Sequence, residues 1–123
     1  MDDIVLDASV LSAFFLDEEA GAGVRGLIES GARFYAPHFW RYEASNAVWK
    51  RKAIPYNIAE GIIEKIWSFT VYGEASVSWV KEAFLISRKS NATFYDSSYI
   101  AFAKTYGLPL WTLDRVQARV AEH

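Results

Sequence analysis

Four acids fall where a carboxylate site for a hard divalent cation would use them: Asp7, Glu43, Asp96 and Asp114. Asp7 ends the apolar run Ile4-Val5-Leu6, and Asp114 ends Leu110-Trp111-Thr112-Leu113. Glu43 lies within the helical stretch PHFWRYEASNAVW, and Asp96 opens another in NATFYDSSYIAFA. Open parallel sheets bind ligands outside the carboxyl ends of their strands, so acids that close two strands converge on one cleft. Carboxylates gathered there repel one another, and some of their pKa values rise unless cations occupy the space between them. Mg²⁺ or Mn²⁺ suits such a set, because either accepts carboxylate and water ligands, holds a phosphate and activates water for in-line attack. The chain has no cysteine and only His38 and His123 as histidines, which excludes thiolate and imidazole-rich sites and leaves oxygen as the ligand atom.

Elements that position these acids are legible from apolar runs and stop signals. Short stretches rich in β-branched and aromatic residues predict strands at 3–6, 33–36, 69–73 and 109–113. Between them, helices are expected over Ser9–Leu16, Ala20–Ser30, His38–Lys52 after Pro37, and from Pro55 to about Ser68. Ser76 or Ser78 can cap a helix through Arg88, Thr93 one that Gly107 and Pro109 stop after Tyr106, and Asp114 a final short helix. Strands alternating with helices predict an α/β fold: a three-layer α/β/α sandwich around a short parallel sheet with right-handed crossovers. No repeat, low-complexity stretch or linker divides the sequence, so residues 1–123 are expected to form one domain.

Each acid also has a plainer reading. Asp7 can be the N-cap of the helix after it, although Ser9 could serve instead. Glu43 borders an apolar stripe of Phe39, Ala47 and Val48, with Asn46 facing the same way; it can equally be a helix-surface acid paired with Lys50 or Arg51. Thr93-x-x-Asp96 fits a capping box, and the helix N-terminus favours the ionised carboxylate that a cation needs. Asp114 is strand end and cap at once, with Thr112 beside it to orient a water.

Length and charge bound the rest. The chain's 123 residues, 52% of them hydrophobic, fill one ordinary core. No apolar run approaches the ~20 residues of a membrane span, and the N-terminus MDDIVLDASV is acidic where a secretory signal is basic. A soluble, cytoplasmic protein is expected. The net charge of −2 becomes +2 when the four candidate acids are set aside. Lys50-Arg51-Lys52, Arg88-Lys89 and Arg115/Arg119 are then available to phosphates, or are solvated helix ends.

Taken in order along nearly the whole chain, VLDASVL, the P-x-x-x-x-x-E-x-x-N pattern ending in Glu43 and Asn46, YDSSYIAFA and LWTLD resemble the PIN-domain ribonucleases. The likeness is strongest to the VapC-type toxins of prokaryotic toxin–antitoxin pairs. That resemblance implies an α/β/α sandwich, often dimeric, whose acidic cleft binds Mg²⁺ or Mn²⁺ and cuts RNA, with an antitoxin of the VapB kind as partner. It implies that Asp7, Asp96 and Glu43 hold the metal and position a hydroxide for in-line attack on phosphorus. Asp114 would complete the site or bind a second ion, and the products would carry a 5′-phosphate and a 3′-hydroxyl. The family commonly has a final strand after the fourth acid, for which Arg115–His123 is short, so a four-stranded sheet in the order 3-2-1-4 is expected. Asp7 and Asp114 would then lie on neighbouring strands at the switch point.

Five Trp, seven Tyr and eight Phe are many for one core. Trp111 is expected inside, whereas Trp40, Trp49 and Trp67 either pack between helices, or at a homodimer surface, or line a groove for an antitoxin helix. Competing α/β enzymes fit less well. A receiver domain wants a central Asp, and residues 44–73 offer only Glu60 and Glu64 as acids; a haloacid-dehalogenase-type phosphatase wants Asp where Ser9 stands. The remaining alternative is a catalytically silent PIN fold that binds RNA or protein.

Overall fold

Val5 and Leu6, neighbours on β1 (Asp3–Leu6), point to opposite faces of the sheet and are both fully buried, so the sheet is covered on both sides. This computed structural model describes residues 3–73 and 77–114. β1 is the central strand: it pairs in parallel with β2 (Arg33–Tyr35), Ile4 opposite Phe34, and with β3 (Leu110–Trp111), Leu6 opposite Trp111. The order β2-β1-β3 puts β1 and β3 side by side.

The expected four-stranded sheet is corrected to three strands among the described residues. The stretch 69–73 does lie beyond β2, as the order 3-2-1-4 requires, but only as one parallel bridge between Tyr72 and Tyr35. Two hydrogen bonds hold it: Tyr72 N–H donates to Phe34 O at 2.9 Å, and Ala36 N–H to Tyr72 O at 3.0 Å. The ladder cannot lengthen, because Phe69 is the C-cap of the preceding helix and turns its ring among Phe14, Phe15, Phe34 and Trp40, with centroids 5.2–6.3 Å away. Beyond the bridge, Gly73 passes so close to Ala36 that a Cβ would stand 2.0 Å from its carbonyl oxygen.

The helices are α1 (Ala8–Phe15), α2 (Ala22–Glu29), α3 (Trp40–Lys50), α4 (Tyr56–Ser68), α5 (Val77–Ser90) and α6 (Phe94–Tyr106). Their ends follow local chemistry. The Asp7 side chain caps α1 by accepting from Val10 N–H, and Thr93 caps α6 by accepting from Asp96 N–H. Gly107, at φ 64°, closes α6 in the left-handed conformation, and Leu108 N–H donates back to Ala103 O at 2.9 Å. A turn over His38 and Phe39 delays the start of α3. The proposed final helix, the bounds beyond Asp114 and the cap at Ser76 lie outside the described residues.

α6 packs on β1 and β3 with α5 behind it, while α1 packs on α3 and α3 on α4. Ser97, Ser98 and Ala101 let α6 approach closely and are all fully buried. Phe102 on the same helix is fully buried, which contributes about 1.5–3 kcal/mol. Of the tryptophans, Trp40 is core at 1% exposure, so its groove reading is withdrawn; Trp49 and Trp67 are exposed and Trp111 is half-buried. Among the described residues, no helix is long and apolar enough to cross a membrane.

Candidate active site

At the carboxyl end of β1 the chain must leave the sheet and enter α1, and Asp7 makes that turn. Its carboxylate is buried and accepts three hydrogen bonds. Oδ1 accepts from Ser9 Oγ at 2.5 Å and Val10 N at 3.1 Å, and Oδ2 accepts from Thr112 Oγ1 at 2.5 Å. Thr112 Oγ1 also accepts from Asp114 N–H at 3.0 Å, and Ser9 Oγ accepts from Leu113 N–H at 3.1 Å. Two hydroxyls thus tie the end of β1 to the segment after β3, which places Asp7 and Asp114 on neighbouring strand ends. Thr112 orients the Asp7 carboxylate and holds the Asp114 backbone.

Glu43 reaches the same region from the first turn of α3. The expected partners are not its partners: Arg51 pairs with Glu18 at 3.1 Å, and Glu43 Oε1 accepts from the Tyr99 hydroxyl at 2.6 Å. Tyr99 is the site residue that the sequence reading missed. It lies three residues after Asp96 on α6, the spacing that puts two side chains on one helix face, and that spacing was the available signal. Its ring is buried and meets Phe39 edge-on at 5.6 Å, so the hydroxyl is fixed. Asp96 is half-buried in the first turn of α6.

Electrostatics ties these acids together. Burial pushes the Asp7 carboxyl above its ordinary range, against the bonds from Ser9, Thr112 and Val10. Burial raises Glu43 too, opposed by the Tyr99 hydroxyl and reinforced by the charges of Asp96 and Asp7. Asp96 is raised by burial and then by the charge of Asp114, opposed by Thr93, with a further contribution from Asp7. Burial beside Glu43 pushes the Tyr99 phenol well above 10, so it stays a neutral donor. Asp7 and Asp96 therefore act on Glu43, and Asp114 and Asp7 on Asp96, across elements distant in sequence.

A divalent cation fits this donor set: the groups are oxygen donors, their like charges raise one another, and a positive charge between them would offset both burial and repulsion. Among the described residues no three Asp, Glu or His side chains stand close enough to hold an ion by themselves. Beside the acids lies a depression of about 270 Å³ lined by Ala8, Ser9, Ser12, Glu43, Asn46, Ala47 and Lys50. Asn46 faces the site there, as expected, and Lys50 brings a positive charge to its rim.

Residues 4–123 match the family model of the PIN domain. The chain is 30% identical over 119 residues to Ribonuclease VapC3 of Pyrobaculum aerophilum, covering 91% of this chain and 89% of that protein. It superposes on the crystal structure of PAE2754 from Pyrobaculum aerophilum with a TM-score of 0.71 and 27% identity, over 97% of this chain and 84% of the other. The strand-end acids, the parallel sheet and these likenesses agree: the chain belongs to the PIN-domain family and is of the VapC type.

Proposed function

We propose that the protein is a metal-dependent endoribonuclease, the toxin of a type II toxin–antitoxin pair, acting in the cytoplasm through one PIN domain that spans residues 1–123. The observation that carries this reading is geometric: Ser9 and Thr112 tie the Asp7 carboxylate, at the end of β1, to the segment after β3 that bears Asp114, and the charges of Asp7 and Asp96 reach Glu43 from other elements. It is supported by a relative named as a ribonuclease over nine-tenths of the chain.

Asp7, Glu43, Asp96 and Asp114 would hold Mg²⁺ or Mn²⁺. When bound, the cation supplies charge neutralisation at the phosphate and lowers the pKa of water. The residues of the chain do the rest. Ser9, Thr112 and the N–H of Val10 lock Asp7 in one orientation. Tyr99 does the same for Glu43, whose carboxylate, so held, could take a proton from the attacking water. Lys50 and the N-terminus of α6 favour the phosphate. No side chain need form a covalent intermediate, and the products would be a 5′-phosphate and a 3′-hydroxyl.

A VapB-like antitoxin and a second copy of the chain are the partners in this reading. Trp49, Tyr56 and Trp67, exposed along α3 and α4, supply apolar surface for such contacts. The test is Asp7→Asn, assayed for RNA cleavage, RNA binding and growth arrest. Loss of cleavage and arrest with binding retained supports catalysis; cleavage that survives refutes the site, and binding without cleavage by the wild type identifies a silent module.

A further inference from the structure

Three donors around the depression beside Glu43 have nothing in the protein to donate to. Ser12, on α1, lines it at 8% exposure, and among the described residues its hydroxyl has no hydrogen-bond partner. A serine inside a helix ordinarily returns its hydroxyl to the carbonyl one turn back, as Ser98 does to Phe94 O at 2.7 Å and Ser90 to Ile86 O at 2.6 Å. Ser12 does not, and a buried hydroxyl without an acceptor is costly. Asn46 and Lys50, exposed on α3, line the same depression and have no side-chain partner among the described residues either. Glu43, Asn46 and Lys50 recur at spacings that share one helix face, with Lys50 about 10 Å along the axis from Glu43. The donors therefore lead away from the acids between α1 and α3.

We propose that Ser12, Asn46 and Lys50 form a subsite for the RNA phosphate next to the one cleaved, and so fix the direction in which the strand leaves the acids. The proposal rests on the nuclease reading and adds binding residues to it. An ammonium offers donors only, an amide offers two N–H groups and a serine one O–H, so the depression suits a negatively charged acceptor with more than one oxygen. A phosphate meets that description, and it can take Ser12 from one wall and Asn46 and Lys50 from the other. Hydrogen bonds from a cation to a phosphate are the strong ones. The remaining polar groups of the depression are already engaged: Ser9 donates to Asp7, and Glu43 accepts from Tyr99.

The experiment compares wild type, Ser12→Ala and Lys50→Met on an RNA with a mapped cut, and on copies of it that carry one neutral methylphosphonate at a position flanking that cut. Lys65→Met, which removes the same charge from α4 outside the depression, is the control. Ser12→Ala and Lys50→Met are each expected to raise KM about ten-fold. Ser12→Ala should leave Mn²⁺ affinity unchanged in calorimetry without RNA, because its hydroxyl bonds none of the acids. One methylphosphonate position should cost the wild type and Lys65→Met the same factor, and Ser12→Ala little more. An unchanged KM in Ser12→Ala, or a penalty equal in wild type and Ser12→Ala at every position, overturns the subsite. Competition by inorganic phosphate with no methylphosphonate penalty in the wild type would identify a pocket for free phosphate and overturn the strand contact. If the wild type cuts no RNA, the nuclease reading fails, and the subsite is judged separately by the amide NMR shifts of Ser12, Asn46 and Lys50 on titration with inorganic phosphate in EDTA. Shifts that Ser12→Ala abolishes support it, and their absence in the wild type refutes it.

Discussion

Tyr99→Phe removes one oxygen and keeps everything else. The ring stays in its pocket at 1% exposure and keeps its edge contact with Phe39 at 5.6 Å, so no cavity opens. What is lost is the donor to Glu43 Oε1 at 2.6 Å. A hydrogen bond to a charged acceptor contributes about 1.5–3 kcal/mol. Glu43 is only half-buried and can regain water, so a loss of about 1–2 kcal/mol at pH 8 is expected. The bond favours ionised Glu43 and so lowers its folded pKa relative to the variant. Its contribution is present above that folded pKa and shrinks as pH falls through it. Urea denaturation in EDTA should show a lower midpoint for Tyr99→Phe at pH 8, a smaller gap at pH 4.5 and an unchanged slope. Mn²⁺ affinity should fall as well, because Glu43 is no longer held. Equal midpoints at both pH values would refute the role given to Tyr99.

Three further outcomes follow from the same geometry. The folded pKa values of Asp7, Glu43 and Asp96 are all raised, so the metal-free fold retains protons that the unfolded chain, at about 3.9–4.3, has released. The stability this allows is fully present below about pH 4 and is lost as pH rises through the folded values. In EDTA at pH 8, Asp96→Asn should therefore have a higher urea midpoint than wild type, and saturating Mn²⁺ should reverse the order. Thr112→Val removes a donor to Asp7 and the acceptor for Asp114 N–H; calorimetric titration should show Mn²⁺ affinity falling about 10–100-fold. Gly73→Ala drives a methyl into the Ala36 carbonyl, and its thermal unfolding should show a loss of about 1–3 kcal/mol.

The sequence was readable where a local rule decides the outcome. Asp7, Thr93, Pro55 and Gly107 set helix ends by caps and fixed dihedrals, and the structure puts α1, α4 and α6 within about a residue or two of those expectations. Asp7 and Asp114 were legible as neighbours, because the ends of adjacent strands in a parallel sheet lie side by side whatever the details of packing. Where tertiary contacts decided, residue patterns misled. Phe69 looks like strand, yet it is drawn into an aromatic cluster built from α1, β2 and α3, which leaves Tyr72 alone on the sheet edge. Tyr99 looks like one more core aromatic, and only the three-dimensional approach of α3 to α6 shows its hydroxyl meeting Glu43, 56 residues away. Lys50 and Arg51 look like natural partners for Glu43, but the helix carries Arg51 out to Glu18.

The decisive measurement is the rate at which purified protein cuts a mixed, end-labelled RNA set in Mn²⁺, Mg²⁺ and EDTA, with Asp96→Asn, Glu43→Gln and Asp114→Asn prepared identically. The four-acid site predicts cutting by the wild type in either metal, none in EDTA, and large losses in Asp96→Asn and Glu43→Gln, with Asp114→Asn also impaired. Cutting that persists in EDTA, or that Asp96→Asn retains at the wild-type rate, would contradict it.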